Sequence, residues 1–189
     1  MHYVVMVFSE HLNDVHHLLS PYDYDKVYEG CKSDEEYVSI NPPPILYDCY
    51  EIGGRFSRWI RLKEPDICDV TRSKISDIDW GFTGDEFDVE YEKTKSFYNA
   101  AINGKVKGFR KKDVIHYLGT DIESYSILET ALAPPRVLMP DGTYHGLSFS
   151  DSWKDQSIDE RKKWAREFKS RFVDTLDPNY IATIVDCHI

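Results

Sequence analysis

The sequence predicts a single α+β domain over residues 1–189, an antiparallel or mixed sheet with helices packed on one face. A ferredoxin-like arrangement is one candidate. Three observations carry this. Tyr3 to Phe8 and Tyr180 to Ile189, at opposite ends of the chain, are rich in β-branched and apolar residues on both faces, the latter until Asp186. Such runs suit strands buried between neighbours. Segments with helical spacing lie between them. Glycine- and proline-marked turns separate those segments.

In order, Ser9 to Leu19 has Leu12, Val15, His16 and Leu19 at helical spacing, and Pro21 ends it. A polar arm rich in Tyr and Pro follows at about 21–46, extended by Pro42-Pro43-Pro44. Tyr47 to Leu62 centres on Gly53-Gly54. Two readings are open there. A two-residue hairpin turn needs positive φ, which glycine supplies at little steric cost. Alternatively, successive backbone N–H groups form an anion-binding concavity, and Arg55 adds a fork of donors. As the second arm of a hairpin, Arg55 to Leu62 alternates Arg55, Ser57, Trp59 and Arg61 with Phe56, Arg58, Ile60 and Leu62. That pattern fits a solvated edge strand or a basic groove.

Glu64 to Asp85 carries loop signals. Glu86 to Asn103 predicts a helix with Tyr91, Tyr98, Ala101 and Ile102 on its buried face and Gly104 as its stop. Lys105 to Lys112 is a basic run, expected to be a solvated linker. Asp113 to Leu132 predicts a second helical region. Arg136 to His145 predicts a hairpin around Pro140-Asp141-Gly142. The last helix opens with a capping box, Ser157 and Glu160. Trp164, Phe168 and Phe172 recur every four residues and are expected to face the sheet.

Composition bounds the function. Lys and Arg number 23 against 33 Asp and Glu, a net charge of −10, which argues against general binding to nucleic acid or anionic membranes. No segment reads as a signal peptide or is long and apolar enough to span a bilayer, so a cytoplasmic protein is expected. The cysteines Cys31, Cys49, Cys68 and Cys187 are widely spaced and are expected to be free thiols. No C-x-x-C pair points to a metal, so no metal or cofactor is expected, although zinc could be held by cysteines and histidines brought together by the fold.

Asp186 and His188 lie two apart on a strand, so their side chains share a face and Cys187 takes the other. A carboxylate beside an imidazole orients it as a base or ligand, and is equally an ordinary strand-end ion pair. Glu51 and Arg55 would join them if the two strands adjoin. Glu51, Asp186 and His188 are therefore the candidate catalytic groups, and Gly53, Gly54, Arg55, Arg58 and Trp59 the candidate ligand-binding residues. No nucleophile elbow, H-E-x-x-H or kinase pattern accompanies them, so no enzyme class is indicated.

Tyr50-Glu51-Ile52-Gly53-Gly54-Arg55-Phe56-Ser57 resembles the W-Y-x-I-G-G-R-W-S-G stretch of a group of small proteins of tailed bacteriophages and prophages. Val185-Asp186-Cys187-His188-Ile189 resembles that group's V-D-C-H-I ending. Ser20-Pro21-Tyr22-Asp23 is similar to its A-P-Y-D-E, and Met139 to His145 to its T-P-D-G-E-W-H. Cys49, Phe56 and Arg58 depart from the family's Trp, Trp and Gly. The resemblance covers scattered islands from end to end. It implies a phage source and the cytoplasm of a bacterial host, but no reaction. The expected partner is a host or host-defence protein, and the alternative is a small phosphate-bearing ligand that the protein binds or hydrolyses.

Overall fold

The computed structural model describes residues 2–29, 47–57, 59–64, 70–81, 84–108, 110–112, 133–146 and 158–188. The arm beyond 29, Cys31, Cys68, Arg58, Ser157 of the capping box and the region 113–132 lie outside the described residues. The fold is α+β, with helices and a mixed six-stranded sheet. The chain divides into two compact units. The first comprises Met1–Trp80, Pro134–Gly146 and Phe172–Ile189, and the second Gly81–Ala133 and Leu147–Arg171.

The first unit holds the sheet. Its strands are β1 (His2–Ser9), β2 (Cys49–Ile52), β3 (Arg72–Lys74), β4 (Arg136–Leu138), β5 (Tyr144–Gly146) and β6 (Ile181–His188). The order is β2-β6-β1-β4-β5, with β3 also pairing β6. β1 and β6 are antiparallel over eight residue pairs, from His2 opposite His188 to Ser9 opposite Ile181. β6 is thus inserted between neighbours, as its two-sided apolar pattern predicts. β1 and β4 run parallel, so the sheet is mixed and differs from the all-antiparallel ferredoxin-like arrangement.

The pleat assigns the two faces. Tyr3, Val5 and Val7 of β1 and Val185 and Cys187 of β6 point to one face. There they meet Val15, Leu18 and Leu19 of α1 (Asp14–Leu19), together with Tyr22 and Tyr47. Leu12, expected in that stripe, is exposed because the helix begins two residues later. Pro21 does not stop the chain's coiling at once. It sits inside a 3-10 turn, Ser20–Tyr22, before the four-residue α2 (Tyr24–Val27). The other face carries Val4, Met6 and Phe8, and the Phe8 ring lies 6.0 Å from Trp80. Trp80 Nε1 donates to the Ile75 carbonyl, so its one polar atom is satisfied in the core.

The Pro140-Asp141-Gly142 hairpin forms as expected. Gly142 takes φ +83°, its N–H donates to Met139 O, and Asp141 Oδ1 accepts from Thr143 N–H. The second unit contains α3 (Gly84–Ile102) and α4 (Ile158–Phe168), which pack together. Tyr91, Tyr98 and Ala101 are buried along α3. Gly104 closes it with φ +69°: Gly104 N–H donates to Ala101 O and Lys105 N–H to Ala100 O, a Schellman motif. The basic run from Lys105 to Lys112 is solvent-exposed at each described basic residue. Trp164 and Phe168 are buried in the second unit with ring centroids 6.2 Å apart. A π-helical turn, Lys169–Val173, follows, and Phe172 belongs to the first unit, its ring 5.2 Å from His145 of β5.

Cys187 reports on the core electrostatically. Burial pushes its thiol from the ordinary 9.0 up to about 12, and burial likewise lifts the Tyr144 hydroxyl to about 12. Both acids keep their protons longer in the folded chain than in the unfolded one. Their stabilisation is therefore complete below about pH 9 and is lost as pH rises towards 12. From these two groups, urea unfolding at pH 10.5 should show a midpoint lowered by the equivalent of about 2–3 kcal/mol relative to pH 8. Cys187→Val should remove the larger part of that dependence and leave the part due to Tyr144.

Candidate functional site

The candidate residues gather where β6 meets β2. Cys49 lies opposite His188, Tyr50 opposite Cys187, Glu51 opposite Asp186 and Ile52 opposite Val185. The condition set by the sequence, that the two strands adjoin, is therefore met, and Glu51, Asp186 and His188 share one face. Across β6, His2 of β1 lies opposite His188. Sequence reasoning missed His2 and Asp48. Their only signal was residue type, since the register that brings them in is long-range.

Gly53-Gly54 does not turn a hairpin. Both glycines do take positive φ, +77° and +49°. Arg55, however, enters a 3-10 turn, Gly54–Phe56, and none of the described residues from there to Leu62 pairs with β2. The reason lies in β6, one edge of which is shared by two short strands. β2 pairs with Val185 to His188, and β3 with Ile181 to Thr183. Gly53 N–H donates to Ile184 O at 2.8 Å, and Ile184 N–H donates to Thr71 O at 2.8 Å. The glycines let the chain leave the edge at the residue where β3 takes over. A Cβ on Gly53 would strike the Thr71 side chain. The expected edge strand at Arg55–Leu62 is thus replaced by β3, in a stretch that reads as loop.

The backbone N–H that follows the glycines, that of Arg55, meets the carboxyl group of Asp186. The Asp186 side chain is 4% exposed. Its Oδ2 accepts from Arg55 N–H at 3.0 Å, and its Oδ1 lies 2.9 Å from His2 Nδ1. Gly54 is required for this contact, because a Cβ there would sit 2.6 Å from both Asp186 Cβ and Oδ2. Arg55 and Glu51 are exposed, while Trp59 is half-buried and packs edge-on against Phe56 with centroids 5.7 Å apart. Arg61 pairs with Asp79 at 3.0 Å, so it does not contribute to a basic groove.

His188 forms a second imidazole–carboxylate pair. Its Nδ1 lies 2.9 Å and 3.1 Å from the two oxygens of Asp48, whose N–H donates to His188 O. Hydrogen bonding to His188 holds the Asp48 carboxyl below the usual carboxylate range. Asp48 in turn pushes the exposed Cys49 thiol up. Cys49 is therefore no thiolate nucleophile on its own. The His2 and His188 rings meet edge to face with centroids 4.9 Å apart. A separate cavity of about 320 Å³ lies beside the Pro-Asp-Gly hairpin, lined by Met139, Asp141, His145 and Leu176 among others, and includes none of the predicted site residues.

Comparison of the chain with family models, with curated proteins and with solved structures found no match. Among the described residues, no helix is long and apolar enough to cross a membrane.

Proposed function

We propose that this is a bacteriophage accessory protein that acts by binding a protein of the host or its defence systems, with the outer edge of β2 as its contact surface. One observation carries the choice over the phosphate-ligand or hydrolytic alternative. The buried Asp186 carboxyl group packs against Gly54 and accepts the Arg55 N–H. A phosphate at that point would displace a bonded carboxylate and face its charge. Among the described residues β2 pairs β6 alone, so its other side is an edge, and its exposed and half-buried residues alternate. Edge strands accept an added strand from a partner, with side chains such as Asp48 and Glu51 selecting the sequence that binds. The phage resemblance and the net charge of −10 support an acidic protein that meets a host protein.

Tagged protein incubated in bacterial lysate should retain one stoichiometric host protein at low and moderate salt, and Glu51→Lys should weaken that retention at least tenfold. Recovery of no protein under either condition would overturn the reading. Binding of a phosphate ester that Arg55→Ala abolishes, with the fold intact, would replace it with the alternative.

A further inference from the structure

Three donors of different chemistry meet at the β2–β6 edge. One ligand atom each from Asp48, Cys49 and His188 lies within 4.8 Å of the other two. The backbone places them. Cys49 and His188 are directly opposite in the ladder, so their side chains project to the same face, and Asp48 is anchored by its N–H on His188 O at 2.9 Å. Tetrahedral zinc, with bonds of about 2.0–2.3 Å, wants donors roughly 3.4–3.7 Å apart. Asp48 and Cys49 are exposed, so small side-chain rotations close the difference without moving the sheet.

A second observation points the same way. His2 stands opposite His188 on the far side of β6, and its Nδ1 is held by the buried Asp186. A carboxylate on one ring nitrogen fixes the tautomer and leaves the other nitrogen with its lone pair, as in carboxylate–histidine–metal arrangements. Cys49, His188 and His2 thus form one row across three adjacent strands. The mixture of thiol, imidazole and carboxylate is one that a borderline-soft cation prefers. Magnesium and calcium take oxygen donors.

We infer that Asp48, Cys49 and His188 form a binding site for Zn²⁺ or a cation of similar softness, with His2 the neighbouring imidazole that completes or steadies it. On binding, Cys49 Sγ gives its proton to solvent and bonds as thiolate, and His188 binds as neutral imidazole. The Cys49 proton is released on binding, and the metal's oxidation state does not change. The site stands on geometry alone and does not rest on the protein-binding reading.

The test uses the untagged full chain under reducing conditions. Zn²⁺ titrated against a chromophoric chelator should show one tight site per chain. Co²⁺ in its place should give the intense visible bands of a four-coordinate ion and a thiolate charge-transfer band. Cys49→Ser should remove that charge-transfer band, and His188→Ala should weaken Zn²⁺ binding at least tenfold. His2→Ala should weaken it less. Circular dichroism would confirm that each variant is folded. Absence of binding at micromolar metal overturns the inference. So does binding that survives both Cys49→Ser and His188→Ala, or that is lost instead on Cys31→Ser or Cys68→Ser.

Discussion

Phe168→Ala should lower stability by about 3–5 kcal/mol, because a phenyl ring with no solvent exposure is replaced by a methyl group and the space is only partly refilled. The ring packs in the second unit beside Trp164, itself buried and stacked beneath the Arg171 guanidinium at 5.2 Å. Tryptophan fluorescence followed through thermal unfolding reads the change, since Trp164 borders the cavity that would be created. An unchanged melting temperature would mean that Phe168 does not carry the packing of α4. Exposed residues on the same helix, such as Lys163, provide the control and should move stability by less than about 0.5 kcal/mol.

Gly54→Ala should cost about 2–5 kcal/mol, the sum of two effects. A side chain at φ +49° costs about 1–2 kcal/mol against the left-handed backbone. The new Cβ would also lie 2.6 Å from Asp186, a buried residue on the central strand that cannot retreat without releasing Arg55 and His2. That crowding adds about 1–3 kcal/mol. Gly142→Ala isolates the first effect, so the difference between the two variants reads the second. Gly142 also has positive φ, +83°, but nothing lies within 4 Å of its Cβ position, so only the backbone cost of about 1–2 kcal/mol applies. Equal losses at the two positions in urea unfolding would show that the contact between Gly54 and Asp186 is not tight.

The two large predictions fall on residues of differing legibility. Phe168 is readable from spacing, because a helix repeats every 3.6 residues and its apolar stripe shows in the sequence whatever it packs against. Gly54 was singled out for its chemistry, yet its purpose was misread. Positive φ was predictable from the glycines; the hairpin was not determined by them. Glu51, Asp186 and His188 were singled out together and do share a face. Asp48 and His2 were not, since each acquires its imidazole or carboxylate partner from the opposite end of the chain, over separations of 140 and 184 residues. The expectation of no metal arose similarly. Cys49 has no cysteine neighbour in sequence, and its companions in the proposed site include His188, its partner across the strands.

By itself, the sequence determined the α+β class, the central positions of β1 and β6, the helix closed at Gly104, the Pro-Asp-Gly hairpin and the positive φ at Gly53 and Gly54. Each follows from local periodicity or from backbone stereochemistry that a few residues impose. Only the tertiary structure decided that β2 and β3 share one edge of β6. It likewise decided that the carboxyl group of Asp186 meets the N–H that follows the glycines, and that Asp48, Cys49 and His188 converge. These depend on hydrogen bonds between distant segments, such as Arg55 N–H to Asp186 across 131 residues. No local pattern encodes the register that pairs them, because a slip of one residue would turn every one of those side chains to the opposite face.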